Sequence, residues 1–422
     1  MPTKKKSKGD VSYEGCYGHQ SKPLQVRAWI LRLVRDNIEK DGKGLPRWTG
    51  NIWGHPGTAK TALSKEFVNQ PIEFRGKMWD GFDVRAIPVA QIEEMGDIHG
   101  VPEDFILMRD KEGKEKWVIA KDSIIDSYKD LGFVLDTDNR AITKTCPPDW
   151  VPIEERPGIL LFDDANRASV RILKGIMQLI QDYRTIGWEV PAGWTILCTG
   201  NPDRQTYLVT TVDDAIITRQ RHITMVPDAQ QWSVWAANAK VDPRGINFVL
   251  RYPEMMIGVR TNLRTLTEFF RCIERFKDIE NHKEEVMIDG KSLIDEETLN
   301  SFLVFATRDM KMVVEPKDVL ENVEKVLPEI EKLMTGGREA RLDIVAVICD
   351  RLYAHLVQDD YKISPTHVKN FQAFVTFKTI PEDLRHSLMR RVAEHDNANL
   401  KAFLLGSKEI YQFVAESLRI LK

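Results

Sequence analysis

One run constrains this chain more than any other. Gly54-His55-Pro56-Gly57-Thr58-Ala59-Lys60-Thr61-Ala62 follows the short apolar stretch Asn51-Ile52-Trp53 and opens a helix-forming segment, 60–68. A strand, a glycine-rich turn and a helix beginning with Lys-Thr gather several backbone N–H groups around one anion, and the positive end of the helix dipole points the same way. In such a loop Lys60 reaches phosphate oxygens and the Thr61 hydroxyl can take a place on Mg²⁺. The usual pattern has Gly directly before the Lys; here it is Ala59. A methyl there leaves the phosphates room provided that residue keeps φ negative.

Three more features fit the same chemistry. Ile159-Leu160-Leu161-Phe162 reads as a buried strand that ends in Asp163-Asp164. Carboxylates at the C-terminal end of a parallel strand sit where open α/β sheets bind ligands. Asp163 suits Mg²⁺, and Asp164 suits orienting a water and accepting its proton. A second buried strand, Trp194 to Cys198, leads to Asn201, whose amide can position the same water. Arg219 and Arg221 follow the helix-like segment 212–218 and are candidates for neutralising charge on a transferring phosphoryl group.

Composition narrows the class. The chain has 422 residues, 42 % of them apolar, enough for two or three cores. Lys plus Arg is 60 and Asp plus Glu 63, a balance that does not favour nucleic acid as the main partner. No apolar run reaches the roughly 18 residues of a membrane span. The basic start, Lys4 to Lys8, leads into no apolar stretch, so neither a secretory signal nor an anchor is expected. Five scattered cysteines fit a reducing cytoplasm, and Cys16 with His19 is the one Cys-x-x-His pair, too little for zinc.

Strands alternating with helical segments predict an α/β core with a parallel sheet. Phe105 to Met108 and Trp117 to Ala120 read as an inserted β-hairpin, and a strand-and-helix stretch is expected before Gly96. The expected division is a flexible basic tail at 1–22, an α/β nucleotide-binding core at 23–228 with its insert at about 97–150, a helical lid at 229–335 and a helical region at 336–422, with a break at Gly336-Gly337. Trp232 and Trp235 read as packing of the lid, and Ser364-Pro365 as a helix start.

The motifs and their order resemble the AAA+ ATPases, and within them the MoxR-like branch that includes the small ATPase subunit of cobalt chelatase. The resemblance spans roughly residues 24–270. It rests on the loop at 54–61, Gly96-Asp97-Ile98-His99-Gly100-Val101-Pro102, Trp150-Val151-Pro152, Gly158 to Ala168, Gly193-Trp194-Thr195-Ile196 with Gly200-Asn201, and Asp214 to Arg219. Ala before the Lys is common in that branch. The resemblance implies an AAA+ P-loop αβα core followed by an all-α lid, ATP and Mg²⁺ as cofactors, and ATP hydrolysis. It matches Lys60 and Thr61 to the Walker A motif, Asp163 to Walker B and Asn201 to sensor 1. Arg219 falls at the position of an arginine finger acting in trans, with Arg221 the alternative because Gln220 and Arg221 stand where the family usually continues with Phe. Asn166-Arg167 match a pair that faces the next subunit. Arg264 matches sensor 2, with Arg260 the rival. The family's usual Glu at position 164 is Asp here, which implies slower hydrolysis. It further implies a homo-hexameric ring and a protein client or a partner with a von Willebrand A domain; a metal-chelatase subunit, a nucleic-acid motor and a slow nucleotide-gated scaffold remain alternatives.

Overall fold

The computed structural model describes Tyr13, residues 16–136, Asp138, and residues 140–202, 214–307, 313–335, 340–357, 362–395 and Leu400. Residues 1–12, most of the expected tail, and the break at Gly336-Gly337 lie outside the described residues. The chain divides into two compact units, Val11–Val226 and Pro227–Lys422.

In the first unit the described elements run in chain order as follows. Strand β1 (His19–Ser21), helix α1 (Pro23–Gly42), β2 (Thr49–Trp53) and α2 (Lys60–Lys65) come first. The hairpin β3 (Ile72–Phe74) and β4 (Lys77–Trp79), then β5 (Asp83–Pro88) and the single turn α3 (Gly96–His99), follow. Next are β6 (Val101–Arg109), β7 (Glu115–Ile119), α4 (Asp122–Asp130), β8 (Val134–Leu135) and β9 (Ala141–Cys146). The unit closes with β10 (Gly158–Asp163), α5 (Val170–Asp182), β11 (Trp194–Gly200), α6 (Asp214–Ile217) and β12 (Gln220–Met225).

Six strands form one wholly parallel sheet in the order β1-β12-β2-β11-β10-β5. The alternation of β10 splits its side chains between two cores. Ile159 and Leu161 join Val26, Ile30 and Leu33 of α1 on one face. Leu160 and Phe162 join Ile172, Ile176 and Leu179 of α5 on the other. A strand buried on both faces reads as a continuous apolar run, which is why this one was plain in the sequence. The result is a three-layer αβα core, as the motif order implied.

Two elements differ from the sequence reading. His19–Ser21, read as the end of a tail, is the edge strand β1, paired in parallel with Ile223 to Met225. Gly18 lets the chain enter there: its φ is +82°, and a Cβ would stand 2.2 Å from the His222 carbonyl oxygen. The helix expected before Gly96 is instead a 3-10 turn at Val89–Gln91 and the one-turn α3, because Pro88 ends β5 and the polar segment to Gly96 offers no apolar stripe to bury. The expected hairpin is present as β6 and β7, pairing Phe105 with Ile119, and β8 and β9 extend it into a four-stranded antiparallel sheet.

The second unit is helical in its described residues. Helices α7 (Ala229–Asn238), α8 (Pro243–Arg251), α9 (Leu263–Ile273), α10 (Lys283–Leu293) and α11 (Glu296–Thr307) enclose a core rich in phenylalanine, including Phe248, Phe269, Phe302 and Phe305. Helices α12 (Pro316–Glu321), α13 (Val323–Thr335), α14 (Leu342–Leu356), α15 (Pro365–Thr376) and α16 (Glu382–Glu394) share another, with residues on both sides of 336 contributing. Ser364 caps α15, its hydroxyl accepting from His367 N. Trp232 packs in the first of these cores, whereas Trp235 is 45 % exposed. No helix among the described residues is long and apolar enough to cross a membrane.

Candidate active site

The register of the parallel sheet brings the site together. Trp53 at the end of β2 lies opposite Gly200 at the end of β11, and Asp163 at the end of β10 lies opposite Pro88. The loop leaving β2 is pinned by Gly54 N donating to Gly200 O at 3.1 Å. A Cβ on Gly54 would stand 2.8 Å from the Met225 carbonyl oxygen, so the close approach of β12 requires glycine. Within the loop the Thr58 hydroxyl donates to His55 O at 2.8 Å. His55 is buried and its ring meets Tyr13 edge-on at 4.8 Å. Pro56 and Gly57 are half-buried, and Ala62 is exposed on the first turn of α2.

Ala59 precedes α2 with φ +67° and ψ 24°. The expectation of a negative φ is therefore corrected. The left-handed conformation costs a residue with a Cβ about 1 kcal/mol, and it accounts for the Gly that such loops usually carry at this place. The methyl is exposed, so the departure from Gly strains the backbone without filling the loop.

Lys60 is the centre of the site. Its side chain is buried, and Nζ donates to Gly54 O at 2.7 Å, His55 O at 3.1 Å and the Asn201 side-chain oxygen at 3.2 Å. Burial lowers its pKa to about 8, against the opposing pull of Asp164 and Asp163. The Thr61 hydroxyl donates to Asp163 Oδ1 at 2.7 Å. These are two oxygen donors side by side, the kind a hard cation such as Mg²⁺ takes while it keeps water and phosphate oxygens in its other positions.

Asn201 joins the two halves. Its Oδ1 accepts from Lys60 and its Nδ2 donates to Asp164 Oδ1 at 2.8 Å. Asp164 adopts φ +51°, a conformation Asp tolerates better than most residues, and Arg167 Nε lies 3.5 Å from its second oxygen.

One contributor, Thr199, escaped the sequence reading, and a second, Asn166, is placed differently from the subunit-facing position expected of it. The Thr199 hydroxyl donates to Asp163 Oδ1 at 2.6 Å and accepts from Asp164 N at 2.8 Å, so one side chain holds both acidic residues. The Asn166 amide donates to Asn201 O at 2.8 Å and accepts from Asn201 N at 3.0 Å. That clamp turns Asn166 inward, 4 % exposed; of the Asn166-Arg167 pair only Arg167 is exposed. A Thr followed two residues later by Asn at a strand end was the available signal for the first.

The arginines part company. Arg221 lies on β12, not at a helix end, and its guanidinium donates to Asp36 Oδ2 at 2.8 Å and stacks over Trp48. Arg219 follows α6 and donates to the Gln181 side chain and to Ala215 O. Residues 212 and 213 of the expected segment lie outside the described residues. In the helical unit Arg264 is exposed in the first turn of α9, where Asn262 caps the helix by accepting from Arg264 N and Thr265 N. Arg260 is exposed and donates to Lys291 O.

No family model and no curated protein matches the sequence. Among solved structures the chain is similar to the Holliday junction branch migration motor RuvB of Thermotoga maritima, at 12 % identity and a TM-score of 0.33 over 70 % of this chain and 76 % of that one. Two point mutants of that motor align similarly. One does so at 13 % identity and a TM-score of 0.34 over 69 % of this chain and 74 % of its own. The other does so at 12 % and 0.32 over 82 % and 88 %. A likeness this distant carries no argument about activity, substrate or partner.

Proposed function

We propose that this chain is an ATP-binding, ATP-hydrolysing protein of the AAA+ kind, MoxR-like in its motif order, that works as a ring on a protein partner. The observation that carries the reading is the convergence at one sheet edge of a buried Lys60, the Thr61–Asp163 pair at 2.7 Å, and an amide, Asn201, that touches both Lys60 and Asp164. Lys60 would exchange its loop carbonyls for phosphate oxygens, which are anionic and therefore better partners for a buried ammonium. Thr61 and Asp163 would hold Mg²⁺, which supplies charge neutralisation at the phosphates. Asp164 would accept the proton of the attacking water, and Asn201 would orient it.

We assign the role of arginine finger in trans to Arg219. Its partners are a neutral amide and a carbonyl, whereas Arg221 is already neutralised by Asp36. We assign sensor 2 to Arg264 over Arg260 because Arg260 is engaged with the Lys291 carbonyl. A homo-hexamer in the cytoplasm, with a protein client or a von Willebrand A partner, follows from the motif resemblance. The balanced charge keeps nucleic acid second.

A slow, switch-like ATPase is favoured by one specific observation: Asp164 carries one methylene fewer than the usual Glu, and Asn201 and Arg167 both lie against its carboxylate. The test is ATP affinity and steady-state turnover for the wild type, Lys60→Ala and Asp164→Glu. Lys60→Ala should lose ATP binding, and Asp164→Glu should raise turnover. Undiminished ATP binding by Lys60→Ala would overturn the nucleotide site, and an unchanged rate in Asp164→Glu would remove the slow-switch reading alone.

A further inference from the structure

Arg171, Lys174 and Gln178 recur at i, i+3 and i+7, which sets them on one exposed stripe of α5. Facing them is the turn that ends in α3. Between the two elements runs an open groove of about 380 Å³, lined by Met95, His99, Ile186 and these three side chains. Its base is apolar. Gly175 lets Met95 lie against the helix, since a Cβ there would stand 2.6 Å from the Met95 methyl carbon. Ile186 stands at the rim, 88 % exposed.

The polar lining is all cationic or neutral, with no acidic side chain. Among the described residues neither Arg171 nor Lys174 has a carboxylate at ion-pair distance, and His99 Nδ1 is buried with no hydrogen-bond partner. The groove also adjoins the root of the inserted sheet. Gly100 leads directly from α3 into β6, and Gly187, next to Ile186, packs on Thr145 of β9 so closely that a Cβ would stand 2.5 Å from it. A molecule engaging the insert is thus beside the groove.

We infer that this groove receives an acidic segment of a protein partner, carboxylates on Arg171 and Lys174 and an apolar side chain between Met95 and Ile186. Charge complementarity selects an anion, and the apolar base selects a peptide. A phosphodiester strand has no use for an exposed isoleucine and a methionine, and the groove lining holds no Phe, Tyr or Trp, the large rings on which bases stack; its one ring, His99, is half-buried. The planar Arg171 guanidinium suits a carboxylate in two parallel hydrogen bonds. The inference concerns a surface away from the nucleotide loop and stands whether or not the chain hydrolyses ATP.

The test uses the full chain and fluorescence polarisation with three labelled probes: a peptide alternating Glu and Leu, a poly-Glu peptide of equal charge, and a single-stranded DNA of equal charge. The Glu–Leu peptide should bind most tightly. The double variant R171E/K174E should weaken it about tenfold or more, and I186S should weaken it while leaving poly-Glu binding unchanged. Circular dichroism and ATP binding check that the double variant is folded; if it is not, Arg171→Ala with Lys174→Ala replaces it and should also lose binding. Absence of peptide binding, peptide binding indifferent to the charge changes, or tighter binding of the DNA with the same sensitivity would each overturn the proposal.

Discussion

Arg244 in the helical unit and Lys60 in the α/β unit are both cations largely removed from water, and they are held in opposite ways. Arg244 has a contacting counter-ion and fixed carbonyl partners. Its Nε and one Nη donate to the two oxygens of Asp242 at 3.0 and 2.6 Å, and its Nη atoms reach Phe276 O at 2.7 Å and Ile273 O at 2.9 Å, closing the end of α9. Asp242 in turn caps α8. Lys60 has only carbonyl and amide oxygens in direct contact, and burial outweighs the pull of the nearby carboxylates to bring its pKa down to about 8. A buried cation with its own counter-ion in direct contact holds structure together. A buried cation lacking a contacting anion is a stability cost that a ligand's charge removes.

The largest expected effect tests that contrast directly. Arg244→Leu strands the Asp242 carboxylate and the carbonyls of Ile273 and Phe276, so the protein should lose about 3 kcal/mol of stability in urea or thermal unfolding. Its ATP affinity below the transition should be unchanged. Lys60→Met should behave in reverse, with stability equal to or above wild type and ATP binding gone. If the two substitutions destabilised the protein equally, the distinction between structural and functional burial would not hold.

A smaller effect is expected at Thr199, the positioning residue that ties the carboxylates together. Thr199→Val keeps the shape but removes the donor to Asp163 Oδ1 and the acceptor for Asp164 N. Each bond is worth about 1 kcal/mol, so turnover should fall about tenfold to thirtyfold while ATP affinity moves less. Thr199→Ser should restore the rate. Equal losses in valine and serine variants would mean that packing of the methyl, not the hydroxyl, carries the effect.

How far this was visible without coordinates depended on whether the determining interaction was local. The Gly54–Thr61 loop, the apolar run into Asp163 and the step from β11 to Asn201 depend on neighbours in sequence, and each falls at a strand end as expected. Strand β1 was hidden because three residues show no periodicity, and its partner, β12, begins about 200 residues later. The role of Thr199 was hidden because its hydroxyl direction depends on the register of β11 against β10. The role of Arg244 was hidden because, apart from Asp242, its acceptors are the carbonyls of Ile273 at the end of α9 and Phe276 beyond it, 29 and 32 residues on. The positive φ of Ala59 was hidden for another reason: a residue with a Cβ usually avoids that region, so its type alone points away from it.

The smallest effect is the pH dependence of ATP binding, and its sign follows from Lys60. In the nucleotide-free protein its pKa is lowered to about 8; phosphate oxygens at Nζ would raise it again, so binding takes up a proton above that pH. ATP affinity should therefore be full below pH 7 and weaken as pH rises through 8, by about eightfold between pH 7.5 and 9. Stability without nucleotide should move the other way. A base whose folded pKa is depressed binds fewer protons folded than unfolded, so the penalty is complete below about pH 8 and is relieved as pH rises toward the ordinary lysine value of 10.5. Titration calorimetry in buffers of different ionisation enthalpy reads the proton uptake. Lys60→Arg, charged throughout, should bind ATP with a flat profile across this range. A wild-type affinity equally flat from pH 7.5 to 9 would mean that Lys60 keeps an ordinary pKa, and the contrast with Arg244 would then rest on geometry alone.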